Sequence, residues 1–195
     1  MKSFKRLAIA AIAAMALMAA GAAATASATT IEINGVTQNK SVEITASLEP
    51  GTSFLIKDSG GTTADTCTEL DMTFHTEAPY STTKLGAVIT KLGFTKCSHT
   101  TTVLNNGTFD IHHIAGTTDG LIIWTGGEVT IVSTAFGVSA VCKGGAGTTL
   151  GTLTGKASGN AAVDINAKVS CGILGTTTWT ADWTITEPAG AGIED

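Results

Sequence analysis

Residues 163–171 read Val-Asp-Ile-Asn-Ala-Lys-Val-Ser-Cys, and their strict alternation decides the fold. Successive side chains of a β-strand point to opposite faces of a sheet. The five apolar residues at the odd positions therefore share one face, and the four polar residues between them share the other. This period of two predicts a half-buried strand with Cys171 on its core face.

The same alternation recurs along the chain, and turn-forming residues separate the runs. The other alternating runs cover residues 41–49, 69–75, 109–113 and 179–186. Asn105-Asn106-Gly107 predicts a hairpin turn, because Asn and Gly accept the positive φ that such turns need. Counting runs gives about nine to eleven strands, with no helical period outside the N-terminal segment. We therefore predict an all-β antiparallel fold and favour a β-sandwich, with a β-barrel as the alternative.

The N-terminus carries the pattern of an export signal. Residues 1–6, MKSFKR, are basic, and the uncharged Ala-rich stretch that follows ends in Ala26-Ser27-Ala28. A basic start, an apolar middle and a small-x-small exit are typical of a signal peptide. We expect cleavage before Thr29, which leaves a single β domain at 29–195. A membrane anchor is the alternative, but an Ala-dominated run is barely apolar enough to span a bilayer.

Composition limits the partners of the mature chain. Of the 11 basic residues, three leave with the signal peptide, so eight remain against 16 acidic ones and the formal charge is −8. Arginine is then absent. Contacts with nucleic-acid phosphates and with anionic membranes use clustered Lys and Arg, so we expect neither as a partner after cleavage. Thr and Gly make up about a third of the mature residues, which favours strands and turns over helices.

Four cysteines lie in the exported part: Cys67, Cys97, Cys142 and Cys171. An even number in an oxidising compartment predicts two disulfides. The spacing between the first two is nearly equal to that between the last two, which favours sequential pairing over the two other connectivities. Each such bridge would close a loop of about 30 residues and stabilise the fold by about 3–4 kcal/mol in the chain-entropy model.

Four short motifs spread over the mature chain carry a resemblance. They are Gly35-Val36-Thr37, GTLTG at 151–155, VDINA at 163–167 and WTADW at 179–183. Behind an Ala-rich leader, this set resembles a group of uncharacterised secreted bacterial proteins with a Thr/Gly-rich β domain. The resemblance implies export and a β-rich domain, and it implies no site residues and no activity.

Trp124 is the candidate ligand contact. It lies at a strand end before Gly126-Gly127, where an exposed indole would stack on the apolar face of a sugar. Trp179 and Trp183 share their phase with apolar neighbours, so we predict that both are buried.

Asp110 and His112 are the candidates for acid–base chemistry. They lie two residues apart on one predicted strand face, a pattern that suits a base with an orienting carboxylate. No nucleophile signature such as GxSxG accompanies them, so we interpret them as solvated polar residues and expect no catalytic, cofactor or metal site. We expect an extracellular, non-enzymatic domain with a structural or interaction role. The alternatives are a module that binds a cell-surface glycan or protein, and a hydrolase of unknown type.

Overall fold

The computed structural model describes residues 29–78, 83–133, 138–155 and 159–194. The predicted signal peptide lies outside these residues. About two thirds of the described chain is strand, with one short 3₁₀ helix at Gly172–Leu174. The strands are β1 Thr30–Ile33, β2 Val36–Thr37, β3 Glu43–Leu48, β4 Phe54–Lys57, β5 Thr63–Thr76, β6 Leu85–Cys97, β7 Thr100–Asn105, β8 Thr108–His113, β9 Gly120–Thr125, β10 Glu128–Ser133, β11 Val138–Lys143, β12 Thr148–Thr154, β13 Ala162–Ser170, β14 Thr176–Glu187 and β15 Ala191–Glu194. None of the described residues forms a helix with the length and apolar character needed to cross a membrane.

Nine strands close into an antiparallel barrel with eight strand positions. Strands β3 and β4 share one position, and β5, β6, β8, β9, β12, β13 and β14 follow in that order. The all-β antiparallel prediction is confirmed, and the barrel is the arrangement that forms in place of the favoured sandwich. The reason is that β14 is hydrogen-bonded on both edges, to β13 and to β3 and β4. A closed barrel has no edge strands, whereas each of the two sheets of a sandwich would have two.

The inward-facing residues of the barrel follow the predicted alternation. On β13, residues 163, 165, 167 and 169 are buried, and the polar residues between them are exposed. On β14, Trp179 and Trp183 are buried as predicted. Aromatic rings meet across the interior, with Phe54 edge-on to Trp179 at 5.3 Å between ring centroids. The barrel interior is therefore the hydrophobic core of the protein.

Two smaller sheets extend the barrel. The cap sheet, β15-β1-β2, places the buried Ile31 and Ile193 in the core cluster. The flap sheet, β11-β10-β7, is joined to the barrel by one β-bridge between Lys143 and Ser170.

The prediction of a hairpin at Asn105-Asn106-Gly107 is wrong. The turn is present, since Gly107 has a φ of 73° and its N–H donates to Asn105 Oδ1 at 3.1 Å. The two strands that it connects do not pair, because β7 bonds to β10 whereas β8 bonds to β6 and β9. The turn instead carries the chain from the flap sheet to the barrel.

The two disulfides confirm the sequential pairing. Cys67–Cys97 joins directly opposite residues of β5 and β6. Cys142–Cys171 joins β11 to the residue that follows β13. The second bridge therefore fastens the flap sheet to the barrel next to the single β-bridge between them.

Candidate functional site

Trp124 lies inside the barrel, although the sequence suggested an exposed position. Its side chain is 2% exposed, and its Nε1 donates to the carbonyl oxygen of Asn106 at 2.9 Å. The indole packs against the backbones of Gly127 and Gly144, where an added Cβ would overlap the ring. A surface platform for stacking a sugar is therefore not formed by this residue.

The barrel interior is filled by side chains. A barrel of about eight strands is just wide enough for side chains or for one small ligand. The cavity among the aromatic side chains of the interior measures about 20 Å³, which is room for about one water molecule. The space is lined by Phe54, Met72, Leu92, Phe94, Phe109, Trp124, Leu150, Ile165, Trp179 and Trp183. The aromatic and aliphatic side chains of the interior thus form a packed core.

A cavity of about 230 Å³ lies where the flap sheet meets the barrel. We call it the side groove. Five of its lining residues are apolar and three are polar: Ala64, Ile131, Val138, Ala140 and Leu174, with Asp58, Thr63 and His99. A mainly apolar pocket with a few polar groups is the usual form of a small-molecule site.

The two disulfides frame the side groove. Each of four wall segments carries a cysteine within three residues of a lining side chain. The pairs are Ala64 with Cys67, His99 with Cys97, Ala140 with Cys142, and Leu174 with Cys171. Because each bridge ties two wall segments together, the groove is held in shape by covalent bonds, and a preformed groove lowers the ordering cost that binding of a ligand would carry.

A buried carboxylate lies next to two lining residues of the groove, Ala64 and His99. Asp65 is 0% exposed. It accepts hydrogen bonds from the backbone N–H groups of Thr66 at 2.8 Å and His99 at 3.0 Å. It also accepts from Ser98 Oγ at 2.7 Å and from Thr101 Oγ1. This network satisfies the buried charge and ties β5 to the turn between β6 and β7.

The same network orients the His99 ring. Its Nδ1 lies 3.5 Å from Asp65 Oδ1 and 3.3 Å from Ser98 Oγ. A carboxylate oxygen accepts hydrogen bonds, so we assign the tautomer with its hydrogen on Nδ1, beside Asp65, which leaves Nε2 as an acceptor. Within the described ranges, Nε2 has no hydrogen-bond partner. His99 is one of the residues that line the side groove, and Nε2 is its ring nitrogen that does not face Asp65 and Ser98.

One further group of potential metal ligands involves this carboxylate. Asp65, Cys67 and Cys97 place ligand atoms within 4.8 Å of one another. Both sulfurs are bonded to each other, and metal ligation by cysteine needs the thiolate. The disulfide form of this group therefore offers a metal only the carboxylate.

Asp110 and His112 are not brought together as an acid–base pair. Asp110 Oδ2 lies 2.8 Å from Lys84 Nζ in an ion pair. Within the described part of the chain, no hydrogen bond joins Asp110 to His112. The neighbouring His113 binds the carbonyl oxygen of Thr117 through Nε2 at 2.7 Å. The carboxylate is thus paired with a lysine rather than with a histidine.

No family model, curated protein or solved structure matches this chain. The chemistry of its own residues is therefore the guide to its function.

A second, polar groove crosses the outer face of β13 and β14 and encloses about 250 Å³. It is lined by Thr52, Ser53, Leu55, Asp164, Ile165, Asn166, Thr180, Ala181 and Asp182. Asp164 and Asp182 lie directly opposite each other in the strand register. Hydroxyl, amide and carboxylate groups therefore converge on one exposed surface.

Sequence reasoning missed Asp65 and His99 as members of a site. One signal was present, because Asp65 has the same parity on β5 as Cys67 and so falls on the core face of the strand. A carboxylate on a core face needs donors around it. His99 gave no such signal, since its role depends on contacts across about 34 residues of sequence.

Proposed function

We propose that the mature chain acts outside the cell as a non-enzymatic binding domain that takes a small apolar molecule in the side groove. The observation that carries this proposal is the frame of two disulfides around an apolar cavity of about 230 Å³. The resemblance to secreted bacterial proteins agrees with it.

The size of the side groove supports a small-molecule ligand. A dry apolar cavity of about 150 Å³ is enough to bind benzene. The side groove is larger, so it has room for one aromatic ring with a short alkyl chain. Burying such a ligand removes its apolar surface from water, at about 25 cal/mol per Å².

An extracellular location is supported by three features. Disulfides persist in oxidising compartments, and the two bridges here flank the proposed site. The N-terminal segment has the order of a signal peptide. The acidic mature chain, with a formal charge of −8 from eight basic and 16 acidic residues, suits a soluble domain that does not adhere to anionic polymers.

Binding is favoured over hydrolysis by the state of the candidate acid–base residues. Asp110, the carboxylate that would orient His112, forms an ion pair with Lys84. The contact between His99, which lines the side groove, and Asp65 has its Ser hydroxyl on the carboxylate side of the ring. A general base would need the hydroxyl at the other nitrogen, so this arrangement orients the imidazole without activating a nucleophile.

Ligand-observed NMR tests the proposal directly. We expect propylbenzene to show saturation transfer from the oxidised mature protein, with a dissociation constant on the order of 0.1–1 mM for a ligand of this size. Ala140, which is 4% exposed and lines the groove, provides the variant. Ala140→Phe fills the groove and abolishes the transfer.

Ser139→Phe is the matched control, because it adds the same ring to the exposed neighbour on the other face of β11. It should leave binding unchanged. Circular dichroism establishes that both variants are folded, and Val138→Phe replaces Ala140→Phe if that variant is not. Absence of binding to the folded wild type, or equal binding to both phenylalanine variants, would contradict the proposal.

Carbohydrate binding is a second candidate function, and the polar groove on β13 and β14 favours it. Asn166, Thr180 and the two opposed aspartates offer the hydrogen-bonding groups that sugar hydroxyls use. Retention of the mature protein by cell-wall polysaccharide, and its loss in Asn166→Ala, would support this role. Equal retention of the wild type and the variant would place glycan binding elsewhere.

A further inference from the structure

The polar groups of the side groove are mainly hydrogen-bond acceptors. Of the two ring nitrogens of His99, Nε2 is the acceptor left for a ligand, because Nδ1 faces Asp65 and Ser98. Asp58 is a half-buried carboxylate whose Oδ1 already accepts from the N–H groups of Gly60 and Thr62, both at 2.9 Å. A carboxylate has no hydrogen to donate. Thr63, the remaining polar lining residue, has a hydroxyl that donates or accepts.

Among the described residues that line the side groove or contact its lining, the acidic groups are Asp58 and Asp65. Asp58 lines the groove, and the buried Asp65 lies behind His99. Both carboxylates disfavour an anionic ligand through like-charge repulsion, and this repulsion is stronger in a partly buried site than in water. A ligand that complements this lining therefore brings a hydrogen-bond donor and no negative charge.

We infer that the side groove selects a free, neutral apolar molecule with one hydroxyl group, of the size of an alkylphenol, whose O–H donates to His99 Nε2. This inference rests on the proposed function, because it names the ligand class for the same groove. The aromatic and alkyl carbons contact the apolar wall formed by Ile131, Ala140 and Leu174. The hydroxyl fixes the orientation of the ligand.

Three probes of similar size separate the effects of hydrogen-bond donation and of negative charge on binding. In 4-propylphenol the oxygen donates a hydrogen bond, in 4-propylanisole it only accepts, and in 4-propylbenzoate it is anionic. Binding is measured with the oxidised mature protein at about pH 8, above the range in which imidazole usually ionises. We expect 4-propylphenol to bind about tenfold more tightly than 4-propylanisole, since a net hydrogen bond contributes about one order of magnitude. We expect no detectable binding of 4-propylbenzoate.

His99→Phe tests the role of the imidazole nitrogen. This variant keeps a flat ring in the groove and removes the acceptor, so the preference for 4-propylphenol should disappear while 4-propylanisole still binds. His99→Gln restores an acceptor oxygen and should recover part of the preference. We expect both variants to fold, because the backbone N–H of residue 99 and Ser98 Oγ still donate to Asp65. Thermal unfolding of each variant checks this.

The outcomes separate this inference from the proposal on which it rests. Equal binding of the phenol and the anisole, or a preference that persists in His99→Phe, overturns the donor-selective ligand class and leaves the groove as a binding site. Tighter binding of the benzoate also overturns it. If none of the three probes nor propylbenzene binds the wild type, the binding function of the groove fails as well.

Discussion

Replacing Gly144 by alanine should destabilise the barrel because the Trp124 indole occupies the space that a methyl group would need. An ideal Cβ at Gly144 lies 2.7 Å from Trp124 Cδ2 and 3.0 Å from Cζ3, whereas real contacts of this kind are longer than 3.0 Å. Gly144 is buried, so the added carbon cannot turn toward solvent. The ring must therefore move within a core where the cavity beside it measures about 20 Å³.

The magnitude follows from two effects. Overpacking a core by one carbon costs about 1–3 kcal/mol. A tilted indole also weakens its hydrogen bond to Asn106, which contributes about 1 kcal/mol. Together they lower the free energy of unfolding by about 2–4 kcal/mol, which moves the urea midpoint by about 1–2 M at the slopes typical of a domain of this size.

Gly145 provides a control one residue away. A Cβ there meets only Thr148 Oγ1, at 3.7 Å, which is an ordinary contact. Gly145→Ala should change the free energy of unfolding by less than about 0.5 kcal/mol. The assay is urea unfolding of the oxidised mature protein, followed by the fluorescence of the buried tryptophans.

A double-mutant cycle identifies the indole as the cause. In a Trp124→Phe background the smaller ring leaves room, so Gly144→Ala should cost about 1–3 kcal/mol less than in the wild type. If Gly144→Ala and Gly145→Ala lower the free energy of unfolding equally, the packing of Trp124 against the backbones of Gly127 and Gly144 is refuted. Strict additivity of Gly144→Ala and Trp124→Phe in the cycle would refute it as well.

Three further predictions concern the groove and its surroundings. Asp65→Asn should lower the free energy of unfolding by about 2–4 kcal/mol, because an amide leaves buried donors unsatisfied. Asp71→Asn is the control, since Asp71 forms an exposed ion pair with an N···O distance of 3.9 Å. It should change the free energy of unfolding by less than about 0.5 kcal/mol in the same urea assay. Replacing both cysteines of the second disulfide by alanine should cost about 3–4 kcal/mol for a separation of 29 residues, and a loss below about 1 kcal/mol would argue against that bridge as a major constraint. The hydrogen bond from Lys96, followed by that from Thr95, lowers the pKa of Glu69. The stabilising contribution of the Glu69 carboxylate is therefore lost as the pH falls through this lowered folded-state pKa. Lys96→Met should raise the pKa of Glu69 in an NMR titration, and an unchanged pKa would exclude the lysine as the cause of the shift.

The sequence determined which residues lie on each face of the strands. A period of two is a local property of a pleated strand, so it identified the buried faces of β13 and β14, including Trp179 and Trp183. Nearly equal spacing of the cysteines was enough to favour the pairing that the structure has. These features depend on neighbouring residues or on simple chain distance, and for this reason they are readable without coordinates.

Only the tertiary structure decided how the strands close and what the closure encloses. The same alternation buries one face in a sandwich and in a barrel, so the choice depended on β14 pairing along both edges. Trp124 is covered because Gly127 and Gly144, which are distant in sequence from one another, have no side chain and leave room for its ring. The side groove likewise combines segments that carry four different cysteines, and the position of its His99 ring depends on a contact with Asp65, which is distant in sequence. Such contacts are set by the closure of the whole sheet, which local periodicity does not encode.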